Sequence, residues 1–314
     1  VNPSDYGAWL TPQRGSDTNT ATPIGNEGSG IVVAGNGLYA SRQIGKKVGV
    51  VAVGGGGTYA EYVAVDATKG AWPMPDDLAI EDAASFFVNP YTAVGIVDTV
   101  KEYCKFHGKK ASFIHTAAAS QLGQMIIKLV GDDPEITLVN IVRREDQKKI
   151  LTELGAAHVI VTDDKDWKEQ LKNKIKQLDI TVAFDAVAGD NTGLLLSMLP
   201  NKGHCFVYGG LSGKPVAGIN PLDLIYRSKH LHGFLLNRWI SEGGAPSATT
   251  NTVSLLMRTR AASAKVNPGL KHGGWASSTF TNIALEDVHK EFLDTKENGA
   301  TGKKLRIMFP TTAE

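Results

Sequence analysis

The stretch Ala111–Lys128, ASFIHTAAASQLGQMIIK, decides how the rest of the chain is read. Its opening run, Ala111–Ile114, is short and apolar and predicts a buried strand. A turn of small residues, Thr116–Ser120, comes next. Then Leu122, Met125, Ile126 and Leu129 recur at i, i+3, i+4 and i+7, one face of an amphipathic helix. Strand, small-residue turn and helix together predict a cradle for a pyrophosphate. The first N–H groups of a helix lack intrahelical partners and sit at the positive end of its dipole. The glycine spacing of such loops is represented here by Ala117, Ser120 and Gly123. Only the last glycine, which lets the helix pack close on the strand, is kept. Ala118, Gln121 and Leu122 complete the candidate cradle. Taken alone, the same residues also suit a tight strand-to-helix turn with no ligand.

Past the cradle, strands and helices alternate regularly. Further strands are predicted at Ile136–Val142, His158–Val161, Val182–Ala186, His204–Tyr208 and Leu231–Leu236, and helices at Gln121–Val130, Glu145–Leu154, Lys165–Gln177, Asn191–Leu199 and Pro221–Arg227. Six apolar strands separated by helices predict a parallel, doubly wound α/β sheet. Before it, residues 1–85 show short alternating runs with glycine punctuation. Strands are predicted at Ile31–Ala34, Val48–Val53 and Tyr59–Val65, a loop at Gly54–Gly57, and a helix start at Ile80–Ala84. Phe87–Ala93 leads into a helix through Val100. After Trp239 the alternation stops. Leu285–Lys296 reads as a helix and Lys304–Phe309 as a last strand that rejoins the first unit. Within Gly243–Gly274, rich in Gly, Ser, Thr and Asn, only Val253–Met257 reads as core. The expected organisation is therefore residues 1–85 β-rich, 86–238 nucleotide-binding, and 239–314 a return to the β-rich unit.

Composition bounds the function class. The 314 residues suggest two domains with full cores, and 42% hydrophobic with 21% charged residues is ordinary for a globular protein. A net charge of +1, from 33 basic and 32 acidic residues, gives no basic excess for nucleic acid or an anionic membrane surface. Cys104 and Cys205 are too few for a disulfide framework or a cysteine-rich zinc lobe. A reducing compartment is expected, the cytoplasm or alternatively the mitochondrial matrix. No apolar run approaches the roughly 18–20 residues that cross a bilayer.

At several points the residues resemble the medium-chain dehydrogenase/reductase superfamily, in particular its zinc-free quinone-reductase and 2-enoyl-thioester-reductase branch. The likeness is carried by Val1-Asn-Pro-Ser-Asp5, Gly25-Asn-Glu-Gly28, Gly57-Thr-Tyr-Ala-Glu-Tyr62, Val88-Asn-Pro-Tyr-Thr-Ala93 and Thr116–Gly123. It continues through Val139-Asn-Ile-Val-Arg143, Val207-Tyr-Gly-Gly210 and Leu231-His-Gly-Phe234. The resemblance implies a GroES-like catalytic domain split around a Rossmann domain, and a homodimer joined through the sixth strands. Val1–Asp5 itself reads like the middle of a β domain with no earlier strand to pair, as expected if the chain is trimmed or if its N-terminal strands are not represented here.

Zinc-dependent relatives need thiolate or imidazole ligands. Where they carry a Cys, this chain has Val1–Asp5; where they have Gly-His-Glu, it has Gly25-Asn26-Glu27, and an Asn amide is a poor zinc ligand. His230 and His232 would share a strand face, but the sequence shows no third ligand beside them. No metal is expected.

The second strand of an NAD-binding Rossmann domain ends in an acidic residue that bonds the ribose 2′-OH. Here Ile136–Val142 ends in Arg143-Arg144. Guanidinium forks suit a 2′-phosphate, so NADPH is the expected cofactor. Glu145 and Asp146 come directly after, and the alternative is a solvated charged helix start. Lys303 and Lys304 read either as further cofactor contacts or as exposed surface. Tyr208, Gly209, Gly210 and Leu211 end the fifth strand, and Phe234 and Leu235 the sixth, at the edge where open α/β sheets bind ligands. Asp185 is expected to be structural.

With NADPH and no metal, the chemistry expected is hydride transfer to a quinone or another α,β-unsaturated carbonyl, or alternatively to a 2-enoyl thioester. A third possibility is a catalytically silent NADPH-binding protein. Asn89 and Thr92 would supply polar contacts. The resemblance implies a proton-donating tyrosine a few residues past Asn-Pro-Ser-Asp, but the chain departs there, with Gln13 or Arg14 near the matching position. Tyr6, displaced from it, is the substitute considered. Tyr59 and Tyr62 read as strand packing residues.

Overall fold

The computed structural model describes residues 1–5, 23–52, 57–131, 133–244, 252–298 and 303–309. The chain divides into two compact units, Val1–Tyr91 with Ser263–Glu314, and Thr92–Ala262.

In the first unit β1 (Glu27–Ile31), β2 (Lys47–Val51) and β3 (Ala71–Pro73) form an antiparallel sheet in that order. A single helical turn, α1 (Leu38–Ser41), lies between the first two. The centre of β2 is buried, as expected of the middle strand. The apolar run Ile31–Ala34 predicts a strand that begins four residues too late: the ladder starts at Glu27 and its last pair is Ile31 with Lys47, while Val33, beyond it, is exposed. Tyr59–Val65, also predicted as a strand, is a bend through Glu61 followed by irregular chain. Its leading amides donate to loop carbonyls, Thr58 N to Gly25 O and Tyr59 N to Ile24 O, rather than to a ladder. The Tyr59 hydroxyl donates to Asp5 Oδ2 at 3.0 Å, and Tyr62 is exposed, so neither is a strand packing residue. The helix predicted from Ile80 is one 3-10 turn, Asp82–Ser85.

The long helix α2 (Val88–Phe106) begins on a buried carboxylate. Glu27 Oε2 accepts from the Phe87 and Val88 amides, both at 2.9 Å, at the helix end where negative charge is favoured. Its Oε1 accepts from Asn2 Nδ2 and Lys304 Nζ, both at 2.8 Å. Burial by itself pushes this carboxyl up, but the Lys304 charge and these hydrogen bonds hold it below its ordinary range.

The second unit alternates β4 (Ala111–His115), α3 (Gln121–Val130), β5 (Ile136–Val142), α4 (Glu145–Glu153), β6 (Val159–Val161) and α5 (Trp167–Gln177). It continues with β7 (Val182–Asp185), α6 (Asp190–Met198), β8 (His204–Val207), α7 (Pro221–Ile225), β9 (His230–Gly233) and α8 (Leu236–Glu242). The sheet order is β6-β5-β4-β7-β8-β9, with every neighbouring pair parallel. All five residues of β4 are buried, as a central parallel strand covered on both faces requires. Ile114, Val139, Ile141 and Ile160 meet Leu171, Ile175, Leu195 and Leu196 in one core cluster.

Beyond α8 the chain forms α9 (Thr252–Gly269). The sequence assigns core there only to Val253–Met257, yet Ala262, Val266 and Leu270, four residues apart, are fully buried while Leu256 and Met257 are exposed. Small Ala, Ser and Thr residues mask this stripe by mean hydropathy. The return segment pairs β10 (Phe280–Ile283) in parallel with β11 (Lys304–Ile307), joined through α10 (Val288–Asn298), within the first unit. Lys304 is therefore neither a cofactor contact nor exposed surface: it is buried against Glu27. No described helix is long and apolar enough to cross a membrane.

Candidate dinucleotide site at the carboxyl edge of the parallel sheet

Because all six strands run the same way, the loops after β4, β5, β7, β8 and β9 leave from one edge of the sheet. The chain winds outward from β4 through β5 and β6, then returns to β7 on the other side of β4. Such a reversal leaves a crevice at the strand ends.

The β4–α3 turn is tightly determined. Ser120 caps α3, its Oγ accepting from Gly123 N at 3.2 Å. The Ala118 amide donates to Ile141 O at 3.2 Å, tying the turn to β5. Ala117 adopts φ 51°, a left-handed conformation costly for any residue with a Cβ. A Cβ on Gly123 would lie 2.2 Å from Ala118 O, so only glycine lets the helix approach the turn this closely. Gln121 and Leu122, half-buried, form the first turn of α3, whose positive end lies at this edge.

At the end of β5 the side chain of Gln147 accepts from both the Arg143 and Arg144 amides, at 3.0 and 3.2 Å, fixing the backbone there. The two guanidinium groups differ. Arg144 reaches Asp146 through Nε at 3.1 Å and Nη2 at 3.3 Å. Arg143 is exposed and forms no ion pair among the described residues.

Asp185, at the end of β7, is fully buried and organises the edge. It accepts from Thr116 Oγ1 at 2.8 Å, Thr192 Oγ1 at 2.6 Å and Asn191 Nδ2 at 2.8 Å, and from the Val187 and Ala188 amides. Its expected structural role is what this network gives it. Tyr208, just past β8, shares a 2.6 Å hydrogen bond with His115 Nε2 at the end of β4. Burial holds the His115 imidazole down to about 3, and burial with the Asp185 charge pushes the Tyr208 hydroxyl up, so both are neutral. Gly209 passes so near β7 that a Cβ there would lie 2.8 Å from Ala186 O, whereas Gly210 faces open space. Leu211 and Leu235 are exposed, and Phe234 packs edge-on against Phe184 at 5.7 Å.

The structure thus brings Ala117, Ala118, Ser120, Gln121, Leu122, Gly123, Arg143, Arg144, Tyr208–Leu211, Phe234 and Leu235 to one edge of one sheet. Tyr6 lies outside the described residues. Asn89 falls in the first unit and Thr92 in the second, one turn apart on α2. Sequence reasoning placed Thr116 in the turn without its bond to Asp185 and did not single out His115, whose only signal is polarity at the end of an apolar strand. It also missed His204, which the structure places beside His230 and His232, supplying the third imidazole that the sequence does not show.

A six-stranded parallel sheet with this order, switch point and helix-capped turn defines a dinucleotide-binding Rossmann domain. In sequence and fold the chain is similar to the medium-chain dehydrogenase/reductase superfamily. The family model described as zinc-binding dehydrogenase matches residues 122–245, all within the second unit. The mitochondrial enoyl-[acyl-carrier-protein] reductase of Homo sapiens is 31% identical over 247 residues, 76% of this chain and 63% of that protein. The chain therefore spans less than two thirds of the length of that curated relative. A structure from Mesorhizobium loti, provisionally named an NADPH:quinone reductase, is 29% identical, with a TM-score of 0.80 over 97% of this chain and 83% of that one. The Escherichia coli quinone oxidoreductase, solved with NADPH, is 19% identical with a TM-score of 0.73 over 97% of this chain and 88% of that one, a likeness of fold.

Proposed function

We propose that this chain is an NADPH-dependent reductase that transfers a hydride, without zinc, to a quinone or another α,β-unsaturated carbonyl. The observation that carries the reading is the carboxyl edge itself: a strand-to-helix turn that Gly123 lets the helix approach closely, with the Arg143 guanidinium, which forms no ion pair among the described residues, at the end of the second strand. Ala117–Gly123 would hold the pyrophosphate on the amino end of α3, and Arg143 the 2′-phosphate. Gly209–Leu211, Phe234 and Leu235 would flank the nicotinamide, which supplies the hydride when bound. The chain's own part is to orient, to exclude water and to hydrogen-bond the developing oxyanion, the role given to Asn89 and Thr92.

The donor set supports zinc independence. Where zinc-dependent relatives carry a histidine, Asn26 donates its amide to Ser4 Oγ at 3.1 Å. Asp5 is already used by the Asn2 and Asn26 amides and by Tyr59. A conjugated acceptor tolerates this, since its charge spreads onto oxygen during hydride transfer. A 2-enoyl thioester fits the same requirement, and the curated human relative favours that second reading.

Following NADPH absorbance with 9,10-phenanthrenequinone, 1,2-naphthoquinone and crotonyl-CoA tests the choice. Quinone turnover well above thioester turnover is expected; the reverse order moves the assignment to the thioester reductase. NADPH binding with no turnover of any of the three leaves a silent binding protein. We also assign a homodimer: among the described strands β9 is bonded only to β8, and Ile225, Tyr226 and Leu231 are exposed at this margin. Sedimentation at micromolar concentration should show twice the chain mass, and a monomer would refute the pairing.

A further inference from the structure

A second group of chemistry-bearing side chains lies at the amino edge of the same sheet. His204 opens β8, His230 opens β9, and the two are directly opposed in the ladder. His232, two residues along, leaves β9 on the face of His230. Ligand nitrogens of the three imidazoles all lie within 4.8 Å of one another. Nδ1 of His204 and Nε2 of His232 are 3.0 Å apart, and the His204 and His230 rings stack at 4.7 Å. His204 is buried, His232 half-buried and His230 exposed, so the cluster is rooted in the core and open at one side.

We propose that His204, His230 and His232 bind one divalent transition-metal ion of the zinc class, leaving a fourth coordination position to water. With metal–nitrogen bonds of about 2.0–2.1 Å, tetrahedral ligand nitrogens lie roughly 3.3 Å apart. The His204–His232 pair is already at that spacing. His230, exposed at the sheet margin, closes the remaining distance by turning about χ2, a soft torsion for imidazole. Burial holds His204 down to about 4, with His230, His232 and His107 adding to the effect. Burial and then His230 also lower His232. Both imidazoles are therefore neutral near pH 7, the form that ligates. Tyr103 packs edge-on against His204 at 4.8 Å and Phe206 stacks on His232 at 4.6 Å, an aromatic shell that orients the ligands.

The site is separate from the candidate dinucleotide edge. Four residues along β8 carry the chain from His204 to Tyr208, about 13 Å at the usual rise of a strand. The bound ion would cross-link the sheet's outer strand to its neighbour. Without a metal, the same three rings make a stack in which His204 and His232 share one hydrogen bond, and metal titration separates the two.

Full-length protein without an affinity tag, stripped with EDTA, is titrated near neutral pH with Co2+ and then Zn2+, with His230→Asn and His232→Asn in parallel. Expected are one equivalent of Co2+, visible absorption of a four-coordinate nitrogen site, displacement by Zn2+, and a rise in Tm on loading. Each variant should weaken binding at least about tenfold, given that even supporting residues around a metal commonly contribute ten- to a hundredfold. His230 is exposed, so its variant folds whatever happens at His232. Wild-type affinity equal to that of His230→Asn, or the pale spectrum of a six-coordinate aqua ion, would overturn the site. Neither result depends on NADPH binding or turnover.

Discussion

His115 Nε2 lies 2.6 Å from the Tyr208 hydroxyl, and the two rings stack with an interplanar angle of 14°, joining the end of β4 to the end of β8 across β7. The Tyr208 hydroxyl is thus committed inside the protein. What Tyr208 offers the candidate site is its ring and the backbone that turns into Gly209.

The pair makes stability depend on acid. His115 is buried, and its pKa is lowered from 6.5 to about 3. The unfolded chain therefore takes up a proton first as pH falls. The contribution is complete above about pH 6.5 and is lost towards pH 3, at up to about 1.4 kcal/mol per pH unit for one proton. His115→Gln keeps a hydrogen-bonding partner for Tyr208 but does not titrate. Denaturant unfolding measured across this window should show a shallower acid slope for the variant; identical slopes would contradict the assignment.

Gly123→Ala forces a Cβ to within 2.2 Å of Ala118 O, a backbone atom that cannot swing away. Overpacking of this kind costs about 1–3 kcal/mol. The strain falls on the turn assigned to the pyrophosphate, so NADPH affinity should drop with Tm. Unchanged values by fluorescence titration and thermal melting would remove the cradle from the site.

Lys304→Met leaves Glu27 as a buried carboxylate without its ammonium partner at the start of α2. Breaking one side of a buried pair costs about 3–5 kcal/mol. Since the Glu27 pKa is lowered, the wild-type pair stabilises above the ordinary carboxylate range and its contribution fades as pH drops through the folded pKa. Glu27→Gln combined with Lys304→Met should recover part of the loss in a double-mutant cycle, and simple additivity would show that the two residues act independently.

The Rossmann unit was legible because its apolar strands and helical faces repeat strongly: β4 and β5 fall on Ala111–His115 and Ile136–Val142 as the pattern predicts. In the first unit, glycine-punctuated runs hide where ladders begin, and Tyr59–Val65 alternates without pairing. Helix α9 was hidden for the opposite reason, since small residues bury a face without raising hydropathy. At the site, spacing marked Gly123 and the two arginines. It could not show that Asp146 takes Arg144, or that Lys304 turns inward to Glu27, because both depend on side-chain direction. The histidine cluster joins residues on two strands, and only the β8–β9 register reveals it.

The most direct test is a comparison of NADPH and NADH affinities for the wild type and Arg143→Ala. A hydrogen bond to a charged group contributes about 1.5–3 kcal/mol, so NADPH should bind on the order of ten- to a hundredfold more tightly than NADH. Arg143→Ala should erase most of that preference while leaving NADH affinity near its original value. Equal affinities for the two coenzymes in the wild type would contradict the account.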